Sequence, residues 1–362
     1  MSKNFVALTC AITCSFLWGT AFIAQDTGMD YIGPWTFSAA RLFLGFFALL
    51  PFFFIFEFRK IKKIKSNFKV IITNMFLLGF FLAGGNIFQQ ISLLYTDVAN
   101  SAVFTVLYVV IVPVLAYFLF SKKIHKSVWP AVIMCLLGGL LLSELNNYRV
   151  RLGDSLVIVG AFFWALHIVY VSKFLKIFNF PITIAAFQCL IAAMFSAIPA
   201  ASIELISLKL LSLEAVELLY AGILSSGFAF LLQIIALQHL SPAPAAIIFS
   251  LEGVFASVAA WILLDQYLNE FKVLGIIIIL SAVIFLFAML LSSTVANFSS
   301  SKVCLSSKLS KVLLLFQSNN CCSLGIHSPL PASSFVRVAA SNSLTLPFPF
   351  VVLSSHESCI SM

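Results

Sequence analysis

The sequence predicts an all-α membrane protein: ten transmembrane helices in two inverted five-helix repeats. Three observations predict it. Of 362 residues, 62% are hydrophobic and 9% charged, and the mean hydropathy is +1.10, whereas a soluble domain carries about a quarter charged residues. The apolar residues gather in runs of about 17 to 25, long enough to cross a hydrocarbon core of roughly 30 Å as helices. A stretch of the first half also recurs in the second.

The runs are 5–24, 35–56, 71–95, 98–120, 127–143, 155–174, 181–203, 216–239, 243–264 and 271–292. The first is longer than the apolar core of a signal peptide and lacks a clear cleavage site, so it reads as a retained helix. DTGMDYIGP (26–34), YTDVAN (95–100), SELNNYRVRLGD (143–154) and QHLSPAP (238–244) separate spans with turn residues. The second span runs into EFRKIKKIKSNFK (57–69), which holds six basic residues. With the N-terminus inside, one face collects twelve Lys and Arg, and the other collects four together with Asp26, Asp30 and Asp97. The positive-inside rule then places both termini in the cytoplasm, as in a bacterial-type inner membrane. The domains are 5–143 and 155–292; the Ser-rich tail 297–362 cannot bury a core and is expected to be disordered.

The net charge of +8 does not indicate nucleic acid, because six of the basic residues crowd into one connecting loop, a topology signal. The eight cysteines have no metal-ligand spacing, and Cys10 and Cys14 lie one helical turn apart as small packing residues. Neither a metal nor a cofactor is expected.

A shift of 143 residues lays GFFLAGGNIFQQISLLYTDVANSAVFTVL (79–107) on GILSSGFAFLLQIIALQHLSPAPAAIIFS (222–250) without a gap. Gly79 meets Gly222, Gly84 meets Gly227, Gln90 meets Gln233 and Ala102 meets Ala245. Trp18 in SFLWGTAF matches Trp164 in AFFWALHI at a slightly different offset. Because each half has an odd number of helices, the halves enter the membrane from opposite sides, an arrangement that encloses a site near mid-membrane and exposes it alternately.

With SFLWGTAFIAQ (15–25), AARLFLG (39–45), the fourth span with its approach (87–116) and the eighth and ninth spans (228–266), the chain resembles the drug/metabolite transporter superfamily, specifically its EamA-type ten-helix members. The resemblance covers roughly 5–292 and implies a secondary carrier that leans towards proton-driven export. It carries over to Glu252, Arg41 and Trp18. The chain has Asp265 where such proteins more often have Glu, and Gly253 where they often have Pro or Ala.

Several polar residues fall at membrane depth. Glu252 lies about 13–14 Å along the ninth span, and His167 and Asn86 reach a similar depth; Arg41 lies about 9 Å inside the second. An intramembrane carboxylate costs several kcal/mol. Glu252 fits a structural role, bonded to Ser250 or paired with Arg41, and a functional one, binding a cationic substrate or a proton, since desolvation disfavours the charged form. Arg41 suits structural pairing or, through its planar donor fork, recognition of an anion. His167 fits a core histidine or a proton relay. Trp18 and Trp164 are packing anchors that also suit a cavity wall. Asn86, Gln90 and Gln233 suit bonds across helices worth about 0.6 kcal/mol each, and the repeat-equivalent Gln90 and Gln233 also suit a pathway lining. Pro242 and Pro244 begin the ninth span without N–H donors and are expected to let it hinge.

The reading is therefore a secondary transporter of a small metabolite or drug-like solute, with the bilayer and a proton gradient as its other partners. Uptake or exchange, a channel and an intramembrane enzyme are the alternatives. No HExxH or Walker A sequence is present, and no lysine lies at mid-membrane.

Overall fold

The computed structural model describes residues 3–62, 68–120, 126, 128–142 and 151–289. The tail 297–362 and the central residues of the basic loop lie outside the described residues. No strand occurs among the described residues, which form nine helices long and apolar enough to span a membrane, plus the shorter apolar helix Val128–Leu142. Numbered by span, they are 1 (Lys3–Thr27), 2 (Pro34–Ile61), 3 (Phe68–Ser92), 4 (Val98–Leu119), 5 (Val128–Leu142), 6 (Leu152–Phe174), 7 (Pro181–Ile203), 8 (Ala215–Leu237), 9 (Pro242–Leu263) and 10 (Glu270–Met289).

Each helix follows from local chemistry. Spans 2, 7 and 9 open on a proline in the first turn, where a missing N–H costs nothing and the fixed φ favours the helix. Span 6 opens on a cap in which the Asp154 carboxylate accepts from the Arg151 N–H at 2.8 Å. Span 1 runs three residues past its expected end, with Gln25 Nε2 donating to Ala21 O at 3.2 Å inside the helix. Span 3 stops three residues early, at Ser92, because the N–H groups of Tyr95 and Thr96 both turn back to Ser92 O.

The first turn of span 2 meets the end of span 7, where Glu204 accepts from the Trp35 and Thr36 N–H groups. The first turn of span 7 in turn meets the end of span 2 at Glu57. These repeat-equivalent helices are therefore antiparallel, which is the inversion expected of five-helix halves. The packing is reciprocal: span 1 lies on spans 8 and 9 of the other half, span 6 on spans 3 and 4, span 2 on span 8 and span 7 on span 3. Alanine, glycine and cysteine supply much of the core, including Ala11, Cys14, Ala185, Cys189, Ala192 and Ala245, since small residues allow close backbone approach where lipid gives no hydrophobic drive. Large apolar side chains such as Phe54, Ile55, Phe118, Ile198 and Ile284 point outward, as lipid contact requires.

Spans 4 and 9 are each broken at matching places. Span 4 is helical over Val98–Thr105 and again over Tyr108–Phe120, and span 9 over Pro242–Phe249 and Leu251–Leu263. Val106 and Ser250, one at each break, share φ −59° and ψ −14°. The Val109 N–H bonds Val106 O at 2.9 Å and the Gly253 N–H bonds Ser250 O at 3.2 Å, a tightened three-residue turn in each helix. The breaks are neighbours, because a Cβ on Gly253 would meet Val106 Cγ2 at 3.3 Å.

Candidate functional site

Span 1 carries Trp18, Phe22 and Gln25 at helical spacing, one stripe that lines a cavity. Span 1 lies close on span 9: Ser15 Oγ donates to Ile248 O at 3.1 Å, and a Cβ on Gly19 would come within 2.5 Å of Phe255 Cβ and 2.6 Å of Glu252 O. That approach sets Glu252 beside the stripe. The opposite walls come from Arg41 of span 2, Gln89 of span 3, Thr105 and Tyr108 of span 4, Trp164 and Ile168 of span 6, and Ser225, Phe230 and Gln233 of span 8. Trp18 and Trp164, and Phe22 and Ile168, stand at matching repeat positions, so the walls are symmetric where the charges are not.

Glu252 sits in the first helical turn after the break of span 9, and is 4% exposed. Its Oε1 has no hydrogen-bond partner among the described residues. Tyr108, beside the break of span 4, faces this carboxyl closely enough to interact with it, and its phenol oxygen makes no other hydrogen bond among the described residues. Ser250 Oγ turns to Ile247 O at 2.6 Å and lies 3.4 Å from Cys135 Sγ. Ser250 thus does not hold Glu252.

Arg41 is 3% exposed, and its Nε has no hydrogen-bond partner among the described residues. It forms no ion pair among the described residues and lies with Cζ 6.0 Å from the Phe37 ring centre. Pairing between Arg41 and Glu252, one structural role the sequence allows, is not made. A buried cation and a buried carboxyl therefore share a cavity without neutralising each other, which is costly unless a further group satisfies them.

The remaining expected residues divide. Trp18 donates from Nε1 to Ser225 O at 3.2 Å and packs edge-on to Phe230 and Phe249, with ring centres 5.4 and 5.6 Å away. Trp164 stacks on Phe230; among the described residues neither its Nε1 nor either side-chain polar atom of Gln233 has a hydrogen-bond partner. His167, Asn86 and Gln90 do not line the cavity. His167 Nε2 lies 3.1 Å from Gln188 Oε1, Asn86 is fully buried with neither polar atom bonded, and Gln90 Nε2 donates to Gln25 O at 2.8 Å, behind the wall. Pro242 and Pro244 lie in the buried first turn of span 9, eight and six residues before its break at Ser250.

Sequence reasoning missed Gln25, Tyr108, Thr105 and Ser225. Gln25 is the third member of the Trp18 stripe and was legible at spacing seven. Tyr108 and Thr105, which flank the break in span 4, gave no such sign. Gln89 donates to Thr105 Oγ1 at 3.2 Å and fixes that wall.

The pattern that defines the EamA-like transporter family matches residues 5–144 and again 151–288. The chain is 26% identical over 270 residues to an uncharacterized transporter of Archaeoglobus fulgidus, covering 75% of this chain and 82% of that protein. It is 24% identical over 276 residues to the uncharacterized transporter YoaV of Bacillus subtilis, covering 74% and 92%. A crystal structure of a protein with 15% sequence identity superposes with a TM-score of 0.65 over 78% of this chain and 98% of that one, a likeness of fold.

Proposed function

The chain belongs to the EamA-like transporter family, and on that premise we propose that it carries a small polar solute by alternating access, coupled to protons and directed to export. The observation that carries the reading is Arg41 and Glu252 facing one cavity, each without a partner of opposite charge among the described residues. Arg41 suits an anionic or strongly accepting group of the solute, as guanidinium offers several donors in a fixed plane. The free donor of Trp164 and both polar atoms of Gln233 suit further polar contacts. Trp18, Phe22, Ile168 and Phe230 suit an apolar portion.

Glu252 is the coupling residue in this reading. One carboxyl holds either a proton or a cationic group of the solute, so loading one releases the other. A desolvated carboxyl without a cationic partner favours the neutral form, and arrival of a positive group reverses that preference. The breaks at Val106 and Ser250 adjoin Tyr108 and Glu252, so bending there is felt in the cavity. The basic loop residues support cytoplasmic termini, and their distribution suits a bacterial-type inner membrane.

Comparing metabolites retained by cells with and without the protein identifies the solute. Reconstituted vesicles then test the mechanism: an imposed pH gradient drives accumulation of that solute, and accumulation collapses when the gradient is dissipated. Solute movement that is non-saturable and indifferent to pH would overturn the reading in favour of a channel.

A further inference from the structure

Spans 2 and 7 are tied together at both ends by the same contact, made twice. At one end Glu57 Oε1 accepts from the Ile182 N–H at 3.2 Å, while Oε2 accepts from the Thr183 N–H at 2.7 Å and from Thr183 Oγ1 at 2.6 Å. At the other, Glu204 Oε1 accepts from the Trp35 N–H at 3.1 Å and Oε2 from the Thr36 N–H at 2.7 Å. Glu57 and Glu204 stand 147 residues apart, as do the helix starts Pro34-Trp35-Thr36 and Pro181-Ile182-Thr183. Each half thus lends a carboxylate to the first turn of the other half's helix.

The chemistry makes these ties strong. The first N–H groups of a helix have no partner within it, and the helix dipole favours an anion there. A carboxylate bridging two such groups forms charge-assisted bonds. Glu57 is 6% exposed, and a π-helical turn over Phe53–Glu57 marks the point where span 2 presents it. Gly33 is needed at the other end, since a Cβ there would collide with the Glu204 carboxylate. Between the ties, Phe187 of span 7 packs edge-on to Phe46 and Phe53 of span 2, with ring centres 5.8 and 5.4 Å away.

A motion that parted span 2 from span 7 at one face would strand a carboxylate, buried at Glu57 and half-buried at Glu204, together with its N–H partners. Both ties are nevertheless closed at the same time, one at each end of the pair. We propose that Glu57 and Glu204 are permanent clamps, making spans 2 and 7 one strut that joins the two halves, while access alternates by movement of the other spans about it. This proposal rests on the alternating-access reading above.

Electron paramagnetic resonance distances on the full chain in lipid nanodiscs test it. Site-specifically incorporated non-cysteine spin labels go in pairs at Phe58 with Ile182 and at Leu205 with Trp35, all partly exposed positions beside the clamps. A third pair at Leu94 and Leu263 reports on the ends of spans 3 and 9. Both clamp pairs are expected to give one narrow distance at pH 5 and at pH 8, while the third pair gives two. A second distance at either clamp pair would overturn the strut. A single distance at the third pair, with both clamps narrow, counts against alternating access and leaves the strut standing. Glu204→Ala is expected to broaden only the Leu205–Trp35 distance, and Glu57→Ala only the other. An unchanged distribution in both variants would show that the carboxylates are not what holds the pair.

Discussion

Arg41, from the first repeat, and Glu252, from the second, face the same buried cavity and are not paired with each other. Two inverted halves with nearly matching walls thus enclose an unmatched pair of charges. By the repeat offset seen between spans 2 and 7, the counterpart of Arg41 is Gln188, a neutral residue bonded to His167. The charges at this site are therefore asymmetric even though the frame is not.

Glu252→Gln keeps the size of the side chain and removes its titratable proton. In vesicles with an imposed pH gradient, concentrative transport is expected to vanish while expression and insertion stay at the wild-type level. Full activity in this variant would discard the coupling role.

Arg41→Lys keeps the charge but loses the planar fork. Hydrogen bonds to charged groups contribute about 1.5–3 kcal/mol, so solute affinity should fall by roughly ten- to a hundred-fold. The concentration dependence of transport reads this directly. Equal affinity in the lysine variant would show that the fork contacts nothing in the solute.

The two tryptophans predict opposite outcomes for one substitution. Trp18→Phe removes the 3.2 Å bond to Ser225 O and should lower stability by about 1 kcal/mol. Trp164→Phe removes an N–H that has no partner, so thermal stability should hold while solute affinity falls. Thermal melts of both variants in detergent separate the roles, and matching losses of stability would contradict them.

Gly19→Ala puts a methyl group against the backbone of Glu252 and the Cβ of Phe255. Overpacking of this kind costs about 1–3 kcal/mol, and here it also pushes span 9 away from span 1. A lowered melting temperature together with lost transport is expected. A melting temperature equal to the wild type would mean that the two spans are not in close contact.

Impermeant thiol reagents applied to Lys60→Cys and Leu208→Cys should label from opposite faces of the membrane. Glu57 and Glu204 mark opposite ends of antiparallel helices, and these positions follow each of them closely. Labelling of both from one side would contradict the inverted arrangement itself.

Much of the architecture was legible in the chain, because lipid leaves few choices. A run of about twenty apolar residues must satisfy its own backbone hydrogen bonds, and a helix does so. The span limits accordingly fall within a few residues of those expected, and an odd number of helices per half forces inversion. Azimuth was not legible. Rise per residue puts His167 and Asn86 at the expected depth of Glu252, yet neither lines the cavity, and depth says nothing about which neighbour a helix turns towards.

The clamps show the same division. Glu57 in the sequence reads as one more charge at the edge of a basic loop, and Glu204 as an ordinary loop acid. Nothing local distinguishes them, because the N–H groups they satisfy lie 125 or more residues away along the chain. The breaks in spans 4 and 9 were also silent, since neither Val106 nor Ser250 sits beside a proline that would announce a kink.

By itself, then, the sequence determined the helices, their number and their alternating direction, all consequences of short-range chemistry against a hydrocarbon solvent. Which faces meet, which polar groups are left without partners and which carboxylates tie the halves together were decided only by the tertiary packing. Those outcomes depend on contacts between residues far apart in the chain, and no local pattern encodes them.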